Sequence, residues 1–252
     1  FSLSMNFMVY FYSDKLVLKM YSAKPLDEEK YKFVYDIVEG LCDSAQIPMP
    51  KLWLIDSDMA NAFATGRNPQ NASVAVTRGI MEILEEHELR GVLAHELSHV
   101  KNRDILIATV AASIATAIGY LADMLRWAVY FGGIGGRDNR SRGGVWGALL
   151  VSIIMPIAAV MVQLAISRSR EYLADESGAH ISNDPLALAS ALEKLHYRTQ
   201  SNKMKPRSNA ETAIASLFIV NPFFGEGLIS LFSTHPPMKK RIERLHKMAQ
   251  FH

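Results

Sequence analysis

The run Gly91-Val92-Leu93-Ala94-His95-Glu96-Leu97-Ser98-His99-Val100, followed from Ile105 to Ala122 by eighteen residues without a charge, decides how this 252-residue chain is read. Val92, Leu93, Leu97 and Val100 recur at helical spacing, so the run is predicted to be one buried helix. His95 and His99 then stand one turn apart on a single face, where two imidazoles can hold one Zn2+ ion. Glu96, beside the first of them, is placed to act as general base on the water that such an ion activates.

The uncharged run after this helix has a second counterpart, twenty-five residues from Gly143 to Ser167. Each reaches the roughly twenty residues that a helix needs to cross about 30 Å of hydrocarbon. The first is rich in small residues such as Ala111, Ser113, Ala115 and Thr116, which suit close helix packing in lipid. Trp127, Tyr130 and Trp146 near the ends suit an aromatic belt. Two buried core helices are the alternative, but the remaining chain is too short to cover both all round. The expectation is therefore a transmembrane helical hairpin over residues 104–167, in contact with the lipid bilayer. Lys101, Arg103, Arg168 and Arg170 flank it on one side, and Arg137, Arg140 and Arg142 on the other. Charge alone therefore gives no orientation. Two crossings return the chain, so residues before 104 and after 168 share one side.

The hairpin also locates the apolar surplus of the composition. The chain is 49% apolar although 21% is charged, and its mean hydropathy is +0.07. A net charge of +2 without a basic stripe gives no reason to expect a nucleic-acid partner. The single cysteine, Cys42, excludes an internal disulfide framework and a thiolate-rich zinc cage, and reads as a small buried side chain on a helix.

Outside the hairpin the reading is α+β and mainly helical. Tyr31, Val34, Tyr35, Val38 and Leu41 make an amphipathic stripe within 27–45, stopped by Pro48 and Pro50. Residues 51–55, 61–65 and 73–77 are short, β-prone and separated by turn residues, which suggests a small antiparallel sheet. Helices are predicted over 79–86, 167–179, from Pro185 through Tyr197 and over about 237–248. Four regions result: 1–26, read as the remnant of an N-terminal membrane segment and a linker; 27–103, a first catalytic half; 104–167, the hairpin; and 168–252, a second catalytic half. The apolar segment Phe1–Tyr12 is too short to span and resembles the tail of a further membrane segment.

A catalytic zinc needs a third protein ligand and an open position. Ser167-Arg168-Ser169-Arg170-Glu171-Tyr172-Leu173-Ala174-Asp175 follows the second crossing directly. Glu171 and Asp175 lie four apart on one helix face. Glu171 is the expected ligand, and Asp175 the acceptor for the far nitrogen of a ligand histidine. Alone, such a pair would read as a solvated, salt-bridged face; beside His95 and His99 the ligand reading prevails.

His95 to Asp104, Ser167 to Asp175, Asn61-Ala62-Phe63-Ala64-Thr65-Gly66 and Ser13 to Leu18 together resemble the HtpX family of membrane-bound zinc metalloproteases. The likeness covers essentially the whole chain with the motifs in order. It implies a gluzincin-like zinc metalloprotease domain interrupted by a transmembrane hairpin. It further implies a multi-pass protein of the plasma or inner membrane with its active site facing the cytoplasm. The substrates so implied are misfolded or damaged membrane proteins, and oligomer formation stays open. More distantly the chain resembles the CAAX prenyl proteases of the Ste type. From these likenesses Asn61 to Thr65 would be the strand lining the substrate cleft, or else an ordinary strand ending at a turn. His235, in His-Pro-Pro, would donate to the developing oxyanion, or be incidental at a helix start. Arg241 would fix this region or bind a substrate carboxylate. Two rival functions remain: a CAAX-type prenyl protein protease, and a catalytically silent membrane scaffold.

Overall fold

A computed structural model describes residues 14–131, 142–201 and 236–250. A helical segment over 14–20 precedes β1 (Lys24–Pro25), α1 (Lys32–Ala45), β2 (Lys51–Ile55), β3 (Ala62–Thr65) and β4 (Ser73–Thr77). Then follow α2 (Arg78–Ile83), α3 (Glu86–Lys101), α4 (Asp104–Phe131), α5 (Arg142–Ser182), α6 (Pro185–Ser201) and α7 (Met238–Ala249). The expectations for Phe1–Tyr12 and His235 fall outside the described residues.

The strands form one sheet in the order β1-β2-β4-β3. It is mixed rather than wholly antiparallel, because β2 and β4 run parallel, with Leu52 opposite Val74. Only the outer pairs, β1 with β2 and β3 with β4, are antiparallel. Three short strands in succession read as a meander. Instead, the link after Ile55 carries the chain to the sheet edge, and β4 returns between its two predecessors. This topology makes β3 an edge strand.

Strand periodicity sorts the sheet's faces. Leu52, Ala62, Val74 and Val76 join the main core with α1, α3 and α6. Ile55, Phe63 and Ala75 pack on the opposite face with Leu18 and Tyr21. Cys42 is buried on α1, and burial pushes its thiol up to about 11, which suits a packing role.

Helix α3 runs through the middle of this core, with Leu89, Val92, Leu93 and Leu97 all essentially inaccessible. A capping box starts it. The Glu85 side chain accepts from the amide of Glu88, and the Glu88 carboxylate accepts the Glu85 N–H at 2.9 Å. Glu88 also accepts from Ser190 Oγ at 2.6 Å and Lys194 Nζ at 2.8 Å, which ties the start of α3 to α6.

Helices α4 and α5 contain spans, Asp104–Ala128 and Leu149–Ser182, long and apolar enough to cross a membrane. Only 6% and 11% of their most apolar windows are buried, so they are not core helices of a soluble domain. Val110, Ile114, Leu121, Ile153, Ile157 and Val162 point outward. Ala122, Ser152 and Ala159 are small buried residues in the apolar parts of these spans, as close packing in lipid requires. The second apolar run and the helix predicted over 167–179 are one continuous helix. At 41 residues α5 is about 60 Å long, twice the roughly 30 Å of a hydrocarbon core. Its apolar first part is enough to cross, and its charged last part, with Glu171, continues beyond without interruption.

Candidate active site

Two helices bring the predicted ligands together: α3 supplies His95 and His99, and the continuation of α5 supplies Glu171. His95 Nε2 and His99 Nε2 lie 3.2 Å apart. Glu171 Oε2 is 3.8 Å from the first and Oε1 is 3.7 Å from the second. One donor atom from each residue falls within 4.8 Å of the others.

The surroundings decide what these atoms can bind. His95 Nδ1 lies 3.1 Å from Asp175 Oδ1, and His99 Nδ1 lies 2.6 Å from Asp104 Oδ2. A carboxylate on each Nδ1 places the ring proton there, so both Nε2 atoms present lone pairs toward each other. Two facing imidazole nitrogens with a carboxylate beside them are the donor set of a divalent cation. Arg241 meets this set only at its edge, with Nη2 3.4 Å from His95 Nε2 and Nη1 3.4 Å from Glu171 Oε2. Nitrogens bound to one tetrahedral zinc stand roughly 3.3 Å apart, close to the separation found. The donor set fits a metal ion.

Close approach of α5 to α3 at this point depends on Gly178. A Cβ there would lie 2.9 Å from the His95 nitrogen and 3.0 Å from its Cα, backbone atoms that cannot swing aside. Gly178→Ala is expected to push the helices apart and destabilise the fold by about 1–3 kcal/mol. A thermal midpoint in detergent equal to that of the unsubstituted chain would contradict this.

Glu96 is buried, with its Oε2 accepting the N–H of Ala64 at 2.9 Å. Burial raises its carboxyl above the ordinary range, while His95 and His99 pull the other way. Ala64 is the half-buried point of β3, whereas Asn61, Ala62, Phe63 and Thr65 are buried. The Asn61 N–H donates to Thr77 Oγ1, and its carbonyl accepts the Thr77 N–H at 3.0 Å, which pins the strand's start. Phe63 packs behind the sheet. The strand therefore meets the site through its backbone at Ala64 rather than through these side chains.

Arg241 of α7 is fully buried. Its Nε donates to Asp175 Oδ2 at 2.8 Å and its Nη2 to Oδ1 at 2.6 Å, with Nη1 3.4 Å from Glu171 Oε2. Committed in this way, the guanidinium has no face open to a substrate carboxylate, so substrate contact is set aside for this residue. The role that fits is fixing the region. Asp104 and Arg170 escaped the sequence reading, although both stand inside quoted motifs. Asp104 borders an apolar run and looks like its polar flank. What turns it back toward His99 is the left-handed Arg103, at φ 55°, between α3 and α4.

A buried H-E-x-x-H helix, a glutamate from a later helix and an edge strand beside Glu96 are the arrangement of a metallopeptidase. Residues 28–249 match the family described as Peptidase family M48. The chain is 53% identical over 251 residues to a protease HtpX homolog of Thermococcus sibiricus, covering 99% of this chain and 85% of that protein. It is 52% identical over 249 residues to a protease HtpX homolog of Aquifex aeolicus, covering 98% and 81%. The crystal structure of S. mikatae Ste24p shares the fold at a TM-score of 0.57 and 20% identity. That match covers 88% of this chain but half of the other. The chain belongs to peptidase family M48 and is a membrane metalloprotease.

Proposed function

We propose that the chain is a zinc endopeptidase that cleaves unfolded or damaged membrane proteins at the cytoplasmic face of the cell membrane. The observation that carries this reading is the convergence of His95, His99 and Glu171 beside Glu96 and the Ala64 amide. The two imidazoles and the carboxylate would hold Zn2+, which polarises the scissile carbonyl and makes water acidic at neutral pH. Glu96 takes the proton from the attacking water and then delivers it to the leaving amine. Its burial keeps this proton away from bulk solvent. His235 is proposed as the donor to the oxyanion.

Substrate choice follows from β3. An extended peptide would add to this edge through backbone hydrogen bonds beginning at Ala64, which demands no particular side chains. It does demand a chain that is locally unfolded. The two apolar helices would hold the site at the bilayer, where unfolded membrane proteins accumulate.

The chain purified in lipid nanodiscs with zinc is expected to cut an unfolded membrane protein, to spare its folded form, and to stop when a chelator is added. Cleavage of a farnesylated peptide alone would favour the prenyl-protease rival. Equal cutting of the folded and unfolded forms would overturn the substrate class.

A further inference from the structure

We propose that Asp104 and Arg170 form a clamp at the root of the membrane hairpin that orients His99 for its metal. The inference rests on reading His95, His99 and Glu171 as a metal site. Asp104 is the first residue of α4, where an acid is often found merely because it suits the positive end of a helix dipole. Two observations here ask more of it.

The first is that its two oxygens serve different elements. Oδ2 lies 2.6 Å from His99 Nδ1 on α3, and Oδ1 accepts from Arg170 Nη2 on α5. The second is that the same Nη2 donates to the Asn102 carbonyl at 3.1 Å, at the C-terminal end of α3. Asn102 Nδ2 reaches Ser177 Oγ on α5 at 3.4 Å. The end of the histidine helix, the start of the first span and the charged part of α5 that follows its apolar run are thus joined at one point. Arg170 immediately precedes Glu171, so the clamp also sets the register of the third ligand relative to the other two.

Physically, a carboxylate on Nδ1 fixes the tautomer, stops ring rotation and makes Nε2 a better donor to a metal. Asp175 stands in this position for His95, and Asp104 for His99. The difference is that Asp104 belongs to a membrane-spanning helix. His99 would then point correctly only when the hairpin is assembled. Asp104 and Arg170 are positioning residues, since neither reaches the ligand set's interior.

The test is zinc affinity, measured on the full chain in detergent by competition with a chromophoric chelator. Asp104→Ser keeps a residue able to start α4 but is too short to reach His99. Its zinc dissociation constant is expected to rise about 10–100-fold. Asp104→Asn keeps an acceptor without the charge and should fall between that variant and the unsubstituted chain. Arg170→Gln should weaken zinc in the same direction. Zinc affinity is read well below each metal-free variant's thermal midpoint, so that lost packing alone does not account for the weakening. If Asp104→Ser does not fold, Arg170→Gln and Asp104→Asn decide. Zinc binding unchanged in the folded variants overturns the clamp while leaving the metal site intact. An unsubstituted chain that binds no zinc overturns both.

Discussion

Glu96→Gln is expected to leave the metal in place and to lower kcat/KM by about 10²–10⁴-fold, the range of a lost general acid–base group. Glutamine has nearly the same shape, and its carbonyl oxygen can still accept the Ala64 N–H that now meets Oε2 at 2.9 Å. Glu96 is not among the three converging ligands, so the site's composition is unchanged. What disappears is a buried carboxylate whose proton affinity burial has raised, the property a base working near neutral pH needs. Metal content by elemental analysis and cleavage of an unfolded protein should be measured on the same preparation. Cleavage at the unsubstituted rate would remove Glu96 from its role. Loss of metal would show that it holds the site instead.

The largest stability effect is expected at Arg241. This side chain is fully buried and makes a two-pronged pair with Asp175, itself 2% exposed. Arg241→Met would leave that carboxylate buried with His95 Nδ1 as its remaining neighbour. Breaking such a pair from one side destabilises a fold by about 3–5 kcal/mol. Adding Asp175→Asn removes the stranded charge, so the double variant should recover part of the loss, and full additivity would contradict the pairing. The pH dependence has a definite sign. Burial alone would raise the Asp175 carboxyl, but Arg241 and His95 hold it down at about 2. A folded-state value below the unfolded one stabilises the protein above about pH 4, and that contribution is lost as pH falls toward 2. In Arg241→Met the acid loss should begin at higher pH, as denaturation of the metal-free protein at several pH values would show.

Much of the site could be read from local spacing. His95 and His99 lie four apart on one helix, and Glu171 and Asp175 four apart on another, so periodicity alone puts each pair on one face. The hairpin was readable because uncharged runs of such length have few soluble uses. Pairings that depend on tertiary geometry were not. The parallel pairing of β2 with β4 leaves no mark in three short strands that would look alike in a meander. The salt bridge between Asp175 and Arg241 joins residues 66 apart. Asp104 reaches His99 only because Arg103 takes a left-handed turn that its residue type does not announce. The continuity of α5 was hidden by composition. A charged segment after an apolar run looks like a new helix, although the backbone simply continues out of the span.

The central claim is that proteolysis depends on one metal held by His95, His99 and Glu171. The most direct measurement follows cleavage of an unfolded membrane protein by the chain in nanodiscs, as purified, after chelation, and after zinc is returned in steps. The account predicts that chelation abolishes cleavage and that activity returns in full at one equivalent of zinc, with no recovery in Glu171→Ala. Cleavage that survives chelation, or that returns equally in Glu171→Ala, would contradict it.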